Sequence, residues 1–197
     1  PFGLYPPQHE HDACGVGFVA NLRNKKSHDT INKALEILVN LTHRGACGCD
    51  EKTGDGAGIL IQIPHEFMRQ ATSQEEFSLP DVHEYGAGIV FLPRKKEERK
   101  QCKELFERIV KEEKQVLLGW RPIPVDNSVI GDVARTAEPH SEMIFIGRGP
   151  GIKDDPHFER KLFVIRKVME NKIRESELSE KSFFYLPSLS CRTIIYK

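Results

Sequence analysis

Two spacings of apolar residues run along this chain. Ile31, Ala34, Leu35, Leu38, Val39 and Leu41 recur close to i, i+3, i+4 and i+7, which predicts an amphipathic helix. The polar turn Asn24–His28 precedes it, and Asp29 is the expected N-cap. The same spacing in Cys102, Leu105, Phe106, Ile109 and Val110 predicts a surface helix inside the highly charged stretch 95–114. Phe158, Leu162, Ile165, Val168 and Met169 predict a third, and His65–Ala71 a short one. Continuous apolar runs bounded by glycine or proline predict strands. These are Gly15–Leu22, Ile59–Ile63 ended by Pro64, Tyr85–Leu92 closed by Pro93, Val116–Val125 and Ser141–Gly147. Phe183–Leu186 and Thr193–Tyr196 read as a hairpin around Ser188–Arg192, and residues 126–140 as a loop. Several strands follow one another without a helix between them. That order predicts an α+β fold with largely antiparallel sheets rather than a doubly wound parallel one.

Composition narrows the classes. Twenty-nine basic and 29 acidic residues cancel, so no global field recruits nucleic acid or an anionic membrane. The mixed-sign run 94–114 is a solvated helix face rather than a nucleic-acid patch. No apolar run reaches transmembrane length, and no secretory signal opens the chain. Five irregularly spaced cysteines (14, 47, 49, 102 and 191) argue against a disulfide framework and for a reducing compartment. The chain starts on Pro1 and stops inside the apolar run Thr193–Lys197, which reads as a piece cut from something longer.

The candidate chemistry begins at Cys14, at the head of the first predicted strand with Gly15 and Gly17 close behind. A buried structural cysteine is one reading of it. The other is an N-terminal nucleophile: once the chain is cut before Cys14, thiol and α-amine share one residue. The amine, with a pKa of roughly 7.7–8.0, then serves as general base. Arg44, in Thr42-His-Arg-Gly45, is either a cation at a helix C-terminus or a planar fork for a substrate carboxylate. Thr53–Gly58 is glycine-rich but lacks the Lys-Ser/Thr of a phosphate loop and precedes a strand, so a tight turn is preferred; Asp55 could orient its amides. Cys47-Gly-Cys49 beside His43 is too closely spaced for a usual zinc site. Cys102 and Cys191 are expected to be inert, and His9 and His11 to be solvated.

Taken together, these stretches resemble one family. Glu10-His-Asp-Ala-Cys-Gly-Val-Gly-Phe18, Leu41-Thr-His-Arg-Gly45, Thr53-Gly-Asp-Gly-Ala-Gly58 and Ile63-Pro-His-Glu-Phe67 stand in the order found in glutamate synthase large chains. So do Leu118-Gly-Trp-Arg121, Phe145-Ile-Gly-Arg-Gly149, Phe158-Glu-Arg-Lys-Leu162 and Ser188-Leu-Ser-Cys-Arg-Thr-Ile-Ile-Tyr196. Cys-Gly-Val and His-Arg-Gly alone recur across class II glutamine amidotransferases. The resemblance implies an N-terminal-nucleophile αββα sandwich, incomplete at the C-terminus. Residues 1–13 would be a propeptide and 14–197 the front of the amidotransferase domain. Cys14 would attack the L-glutamine side-chain amide and form a thioester, with Arg44 near the nucleophile holding substrate or loops. The released ammonia would pass to other domains of the same polypeptide, where 2-oxoglutarate becomes glutamate. FMN and an iron–sulfur cluster would act there, with electrons from a small donor subunit or ferredoxin. No cofactor or metal is expected within this chain, and no nucleic acid or membrane partner. The compartment implied is the cytoplasm, with a plastid as the alternative.

The family's later Arg-Phe-Ser-Thr-Asn and Asn-Gly-Glu segments, and its aspartate for the glutamine α-amine, are not found by Lys197. An oxyanion donor alone is typically worth about 10²–10³ in rate, so this chain by itself is expected to hydrolyse glutamine poorly. Two other readings remain open. One is another class II amidotransferase, such as a phosphoribosyl-pyrophosphate amidotransferase or an asparagine synthetase. The other is a catalytically silent scaffold domain. A papain-type protease is disfavoured, because the Cys-Gly-Val-Gly strand is wrong for a nucleophile at a helix N-terminus.

Overall fold

The computed structural model describes residues 15–44, 52–54 and 56–197, with Arg44 through its backbone alone. Two compact units divide the chain, residues 1–57 and 58–197.

In the first unit, α1 spans His28–Asn40. Its N-cap is Ser27 rather than Asp29: the Ser27 hydroxyl accepts from the Thr30 amide at 3.3 Å. Asp29 instead meets Lys33 one turn on, at 2.7 Å. The predicted strand over Gly15–Leu22 does not form. That segment has no ladder partner among the described residues, and Val16, Phe18 and Leu22 are exposed. Strand structure belongs to a pair, and an apolar run alone does not supply the second member.

The second unit is built on a three-stranded antiparallel sheet in the order β2 (Tyr85–Leu92), β4 (His140–Gly147), β3 (Val116–Pro122). The central strand β4 is buried on both faces. Ile144 and Ile146 point with Val90 and Leu92 into one core cluster. That cluster is closed by Cys102, Phe106, Ile109 and Val110 of α3 (Lys96–Glu112) and by Phe158, Leu162, Ile165, Met169 and Ile173 of α5 (Asp155–Glu175). Met143 and Phe145 point the other way, with Tyr85, Ala87 and Ile89. They meet Ile63, Met68 of α2 (His65–Ala71) and Ile194 of β5 (Thr193–Tyr196). The α3 and α5 stripes predicted from the sequence face the core, whereas the α1 stripe, expected to do the same, contains no buried residue.

β5 pairs antiparallel with β1 (Ile59–Gln62), Ile61 opposite Ile194. The expected hairpin of 183–186 with 193–196 is therefore absent. The chain between them crosses to β2 instead: Tyr185 bridges Phe91 and Ser190 bridges Ala87. The bridge ties the two sheets together, and Glu159 of α5 locks it. Its Oε1 accepts from the Ser190 hydroxyl and the Cys191 amide, both at 2.8 Å. The Ser190 hydroxyl oxygen in turn accepts from the Arg192 and Thr193 amides at 3.0 and 3.2 Å. The stretch 126–140 is mostly irregular, as expected, apart from a one-turn helix α4 (Asp132–Thr136).

Element ends are tied by charge. Arg148, after β4, donates to the His83 carbonyl at 2.9 Å and to the Asp155 carboxylate, and its guanidinium lies 5.4 Å from the Phe158 ring centre. Asp155 also accepts from His83 Nδ1 at 2.6 Å. The His83 hydrogen bond and then the Arg148 one hold the Asp155 carboxyl below its ordinary 3.8. Buried Glu142 of β4 is matched by Lys103 at 2.7 Å and His140 at 3.0 Å.

Two predictions follow from this packing. A Cβ on Gly149 would stand 1.8 Å from the Lys114 carbonyl oxygen, whereas Gly151, at φ +85°, has open space around it. Gly149→Ala is expected to cost about 1–3 kcal/mol in denaturant unfolding, because backbone must move. Gly151→Ala is expected to cost about 1–2 kcal/mol, from left-handed strain alone. Asp155 has a lowered folded-state pKa, so its contribution is full above the ordinary carboxylate value and is lost as pH falls through the lowered one. Asp155→Asn should therefore flatten the acid limb of stability against pH, read by unfolding at a series of pH values.

Candidate functional site

The first unit presents the site's approach. Gly15 and Gly17 lie against the C-terminal half of α1. A Cβ on Gly15 would stand 2.9 Å from Leu41 Cδ2, and one on Gly17 2.5 Å from Ile37 Cγ2. A side chain at Gly17 would have to displace the branched Ile37, and one at Gly15 would push on the end of the Leu41 side chain. Glycines in such a run suggest the close approach of another backbone; the neighbours here are instead the side chains of Leu41 and Ile37. The residue after Cys14 is thus beside Leu41, three positions before Arg44.

Leu41 is the C-cap of α1, at φ −89°, and its amide bonds to the Ile37 and Leu38 carbonyls at 3.0 and 3.2 Å. The Thr42 hydroxyl donates to the Val39 carbonyl at 2.6 Å, and His43 Nδ1 is 2.9 Å from the Asn40 carbonyl. Thr42 and His43 belong to a 3₁₀ turn, Thr42–Arg44, that continues the chain beyond the helix.

Cys14 lies outside the described residues, as do the Arg44 side chain, His9, His11, Cys47, Cys49 and Asp55. Cys102 and Cys191 are described. Each is buried, and burial pushes each thiol up to about 12, which leaves a poor nucleophile. Among the described residues no three His, Cys, Asp or Glu side chains converge as metal ligands. These two cysteines do not fit an iron–sulfur centre. No helix of the described residues is long and apolar enough to cross a membrane.

The other stretches singled out in the sequence hold the fold together. His65, of Ile63–Phe67, is buried with Nδ1 3.2 Å from the Tyr85 hydroxyl, and burial lifts that phenol to about 12. Trp120 packs edge-on to Phe106, and the Lys103 ammonium sits 4.9 Å over its ring. Arg148 and Glu159 anchor α5 as described above. Sequence reading flagged these positions without assigning their partners, since every partner is more than ten positions away except Asp155 and Phe158.

A family model, the class II glutamine amidotransferases, matches residues 14–197. The chain belongs to the class II glutamine amidotransferases. Its curated relatives include glutamate synthases. The glutamate synthase [NADPH] large chain of Bacillus subtilis is 45% identical over 195 residues, which is 99% of this chain and 12% of that protein. Ferredoxin-dependent glutamate synthase 2 of Synechocystis is 39% identical over 188 residues, 95% of this chain and 12% of that protein. Glutamate synthase [NADH] of Saccharomyces cerevisiae is 38% identical over 205 residues, 99% of this chain and 9% of that protein. The chain therefore spans about an eighth or less of these relatives, and it matches their amidotransferase region. This agrees with the resemblance on which the sequence was read.

The glycine approach can be tested directly. Gly17→Ala is expected to destabilise α1 by about 1–3 kcal/mol through overpacking on Ile37. Ile37→Ala in the same chain should recover part of that loss, a coupling measurable as a double-mutant cycle from hydrogen exchange of α1 amides.

Proposed function

We propose that this amidotransferase chain works as the ammonia-releasing half of a glutamate synthase, with Cys14 as nucleophile. Residues 1–13 are then a propeptide and 14–197 belong to the amidotransferase domain. The family match, which begins at residue 14, supports that boundary. The Cys14 thiolate attacks the carbonyl carbon of the L-glutamine side-chain amide. The carbon–nitrogen bond breaks, and the Cys14 ammonium gives the nitrogen its proton as ammonia leaves. Water then attacks the thioester, the amine takes its proton, and glutamate and thiol are released. Other domains of the synthase use the ammonia to convert 2-oxoglutarate. FMN and the iron–sulfur cluster belong to those domains on this reading, with electrons from a small donor subunit or ferredoxin. The cytoplasm or a plastid is the compartment.

The observation that carries this reading is the contact of Gly15 with Leu41, next to the turn that bears Arg44. A nucleophile at position 14 and an arginine at 44 then belong to one neighbourhood. The Val39 and Asn40 carbonyls, which a helix-terminal arginine such as Arg44 would otherwise serve, are already taken by Thr42 and His43. That favours a role for Arg44 as the fork for a substrate carboxylate. The αββα sandwich is the finer fold proposed. It is supported by helices α3 and α5 over one sheet and a second sheet across the opposite core cluster.

A glutamine-like electrophile, such as a diazoketone analogue, tests the proposal on the full-length protein. Peptide mass mapping should find one label, on a Cys14 that has become the N-terminus, with glutaminase activity lost in step. Equal labelling of Cys14, Cys47 and Cys49 would favour a silent scaffold domain instead.

A further inference from the structure

The second unit carries an open cleft of about 600 Å³ between the C-terminal end of α2 and the end of β3. One wall is Gln70, Ala71, Ser73, Gln74 and Glu75, and the other is Arg121-Pro-Ile-Pro124. Two of the lining side chains carry opposite charge. Arg121 is half-buried, and its Nε donates to the Ala71 carbonyl at 3.0 Å. Its two terminal nitrogens meet no carboxylate among the described residues. The other half-buried arginines differ. Arg148 and Arg166 are ion-paired, and Arg99 reaches the Pro93 and Arg94 carbonyls through a terminal nitrogen. Glu75 is half-buried too, its amide bonded to the Thr72 carbonyl, and its carboxylate meets no cation among the described residues. Arg121 and Glu75 share the cleft yet stand beyond ion-pair distance of one another.

Half-buried charges have given up part of their hydration, which an opposite charge at hydrogen-bond distance restores. Among the described residues neither charge has that partner, and each lines the same cleft. A ligand that suits both carries a carboxylate and an ammonium at once. We propose that this cleft binds a free α-amino acid, its carboxylate on the Arg121 terminal nitrogens and its ammonium on Glu75. Bidentate pairing is the strongest use of an arginine fork whose Nε is already fixed to backbone. Gln70, Gln74 and Ser73 offer donors and acceptors to a polar side chain, and the volume exceeds that of any single amino acid. Such a site lies wholly in residues 70–124, so it holds whether or not Cys14 reacts. In an enzyme that makes glutamate it would register amino-acid supply.

The test is protection of Arg121 from an arginine-directed dicarbonyl reagent, phenylglyoxal, in the full-length protein carrying Cys14→Ala. That variant cannot turn substrate over. Modification is read at the peptide containing Arg121. L-glutamate at ten times its dissociation constant should slow the reaction about tenfold. Glutarate, which has both carboxylates and no ammonium, should protect far less. Glu75→Gln should lose the difference between the two while leaving Arg121 reactive and the melting temperature unchanged. Equal protection by glutarate would overturn the proposal, and so would an unchanged rate with L-glutamate. Neither result bears on labelling of Cys14.

Discussion

Burial of β4 on both faces is the constraint from which the second unit follows. A strand with Ile144 and Ile146 on one side and Met143 and Phe145 on the other exposes no face to water. Both sides must be covered, and both backbone edges paired. β2 and β3 take the edges. The amphipathic stripes of α3 and α5 cover one face, and α2 with the β1–β5 pair covers the other. Phe145 contacts both Tyr85 and Phe77, with ring centres 6.1 and 5.5 Å away, so the second face is set by aromatic shape as well as by area.

Apolar packing fixes which layers meet but leaves their relative positions loosely specified. The polar ties supply that. Ser190 exchanges backbone hydrogen bonds with Ala87 of β2 while its side chain orders the turn into β5, and Glu159 holds both from α5. Arg148 and Asp155 do the same where β4 passes into α5. Each tie joins an element end to a sheet, so a slip of one residue in register would leave a half-buried charge or amide unpaired.

The sequence was most legible where a structural property is local. The α3 and α5 stripes, the proline stops at Pro64 and Pro93 and the run Tyr85–Leu92 needed only their own residues. Pairing is not local. Nothing within Thr193–Tyr196 says that its partner is Ile59–Gln62 rather than the nearer Phe183–Leu186, and the apolar run Gly15–Leu22 carries no sign that it lacks one. The site divides the same way. Cys14 and Arg44 stood out by motif, and Gly15 and Gly17 by residue type. Arg121 stood only as the end of the Leu118–Arg121 stretch and Glu75 not at all, since a charge without a partner becomes visible only when its surroundings are known.

The end of α1 bears most directly on the chemistry. A helix C-terminus leaves its last carbonyls to be satisfied, and a cation in the last turn ordinarily helps with that task. Here a threonine hydroxyl and a histidine ring do it at 2.6 and 2.9 Å, within the two residues that precede Arg44. An arginine costs side-chain entropy wherever it is held, and is best used where a planar anion repays it. Gly15 lies beside this turn, where a Cβ would stand 2.9 Å from Leu41 Cδ2. On the proposed reading, Gly15 and the Thr42–Arg44 turn would bring nucleophile and arginine into one neighbourhood. That is what a reaction requiring thiol, amine and substrate amide to meet within hydrogen-bond reach demands of its scaffold.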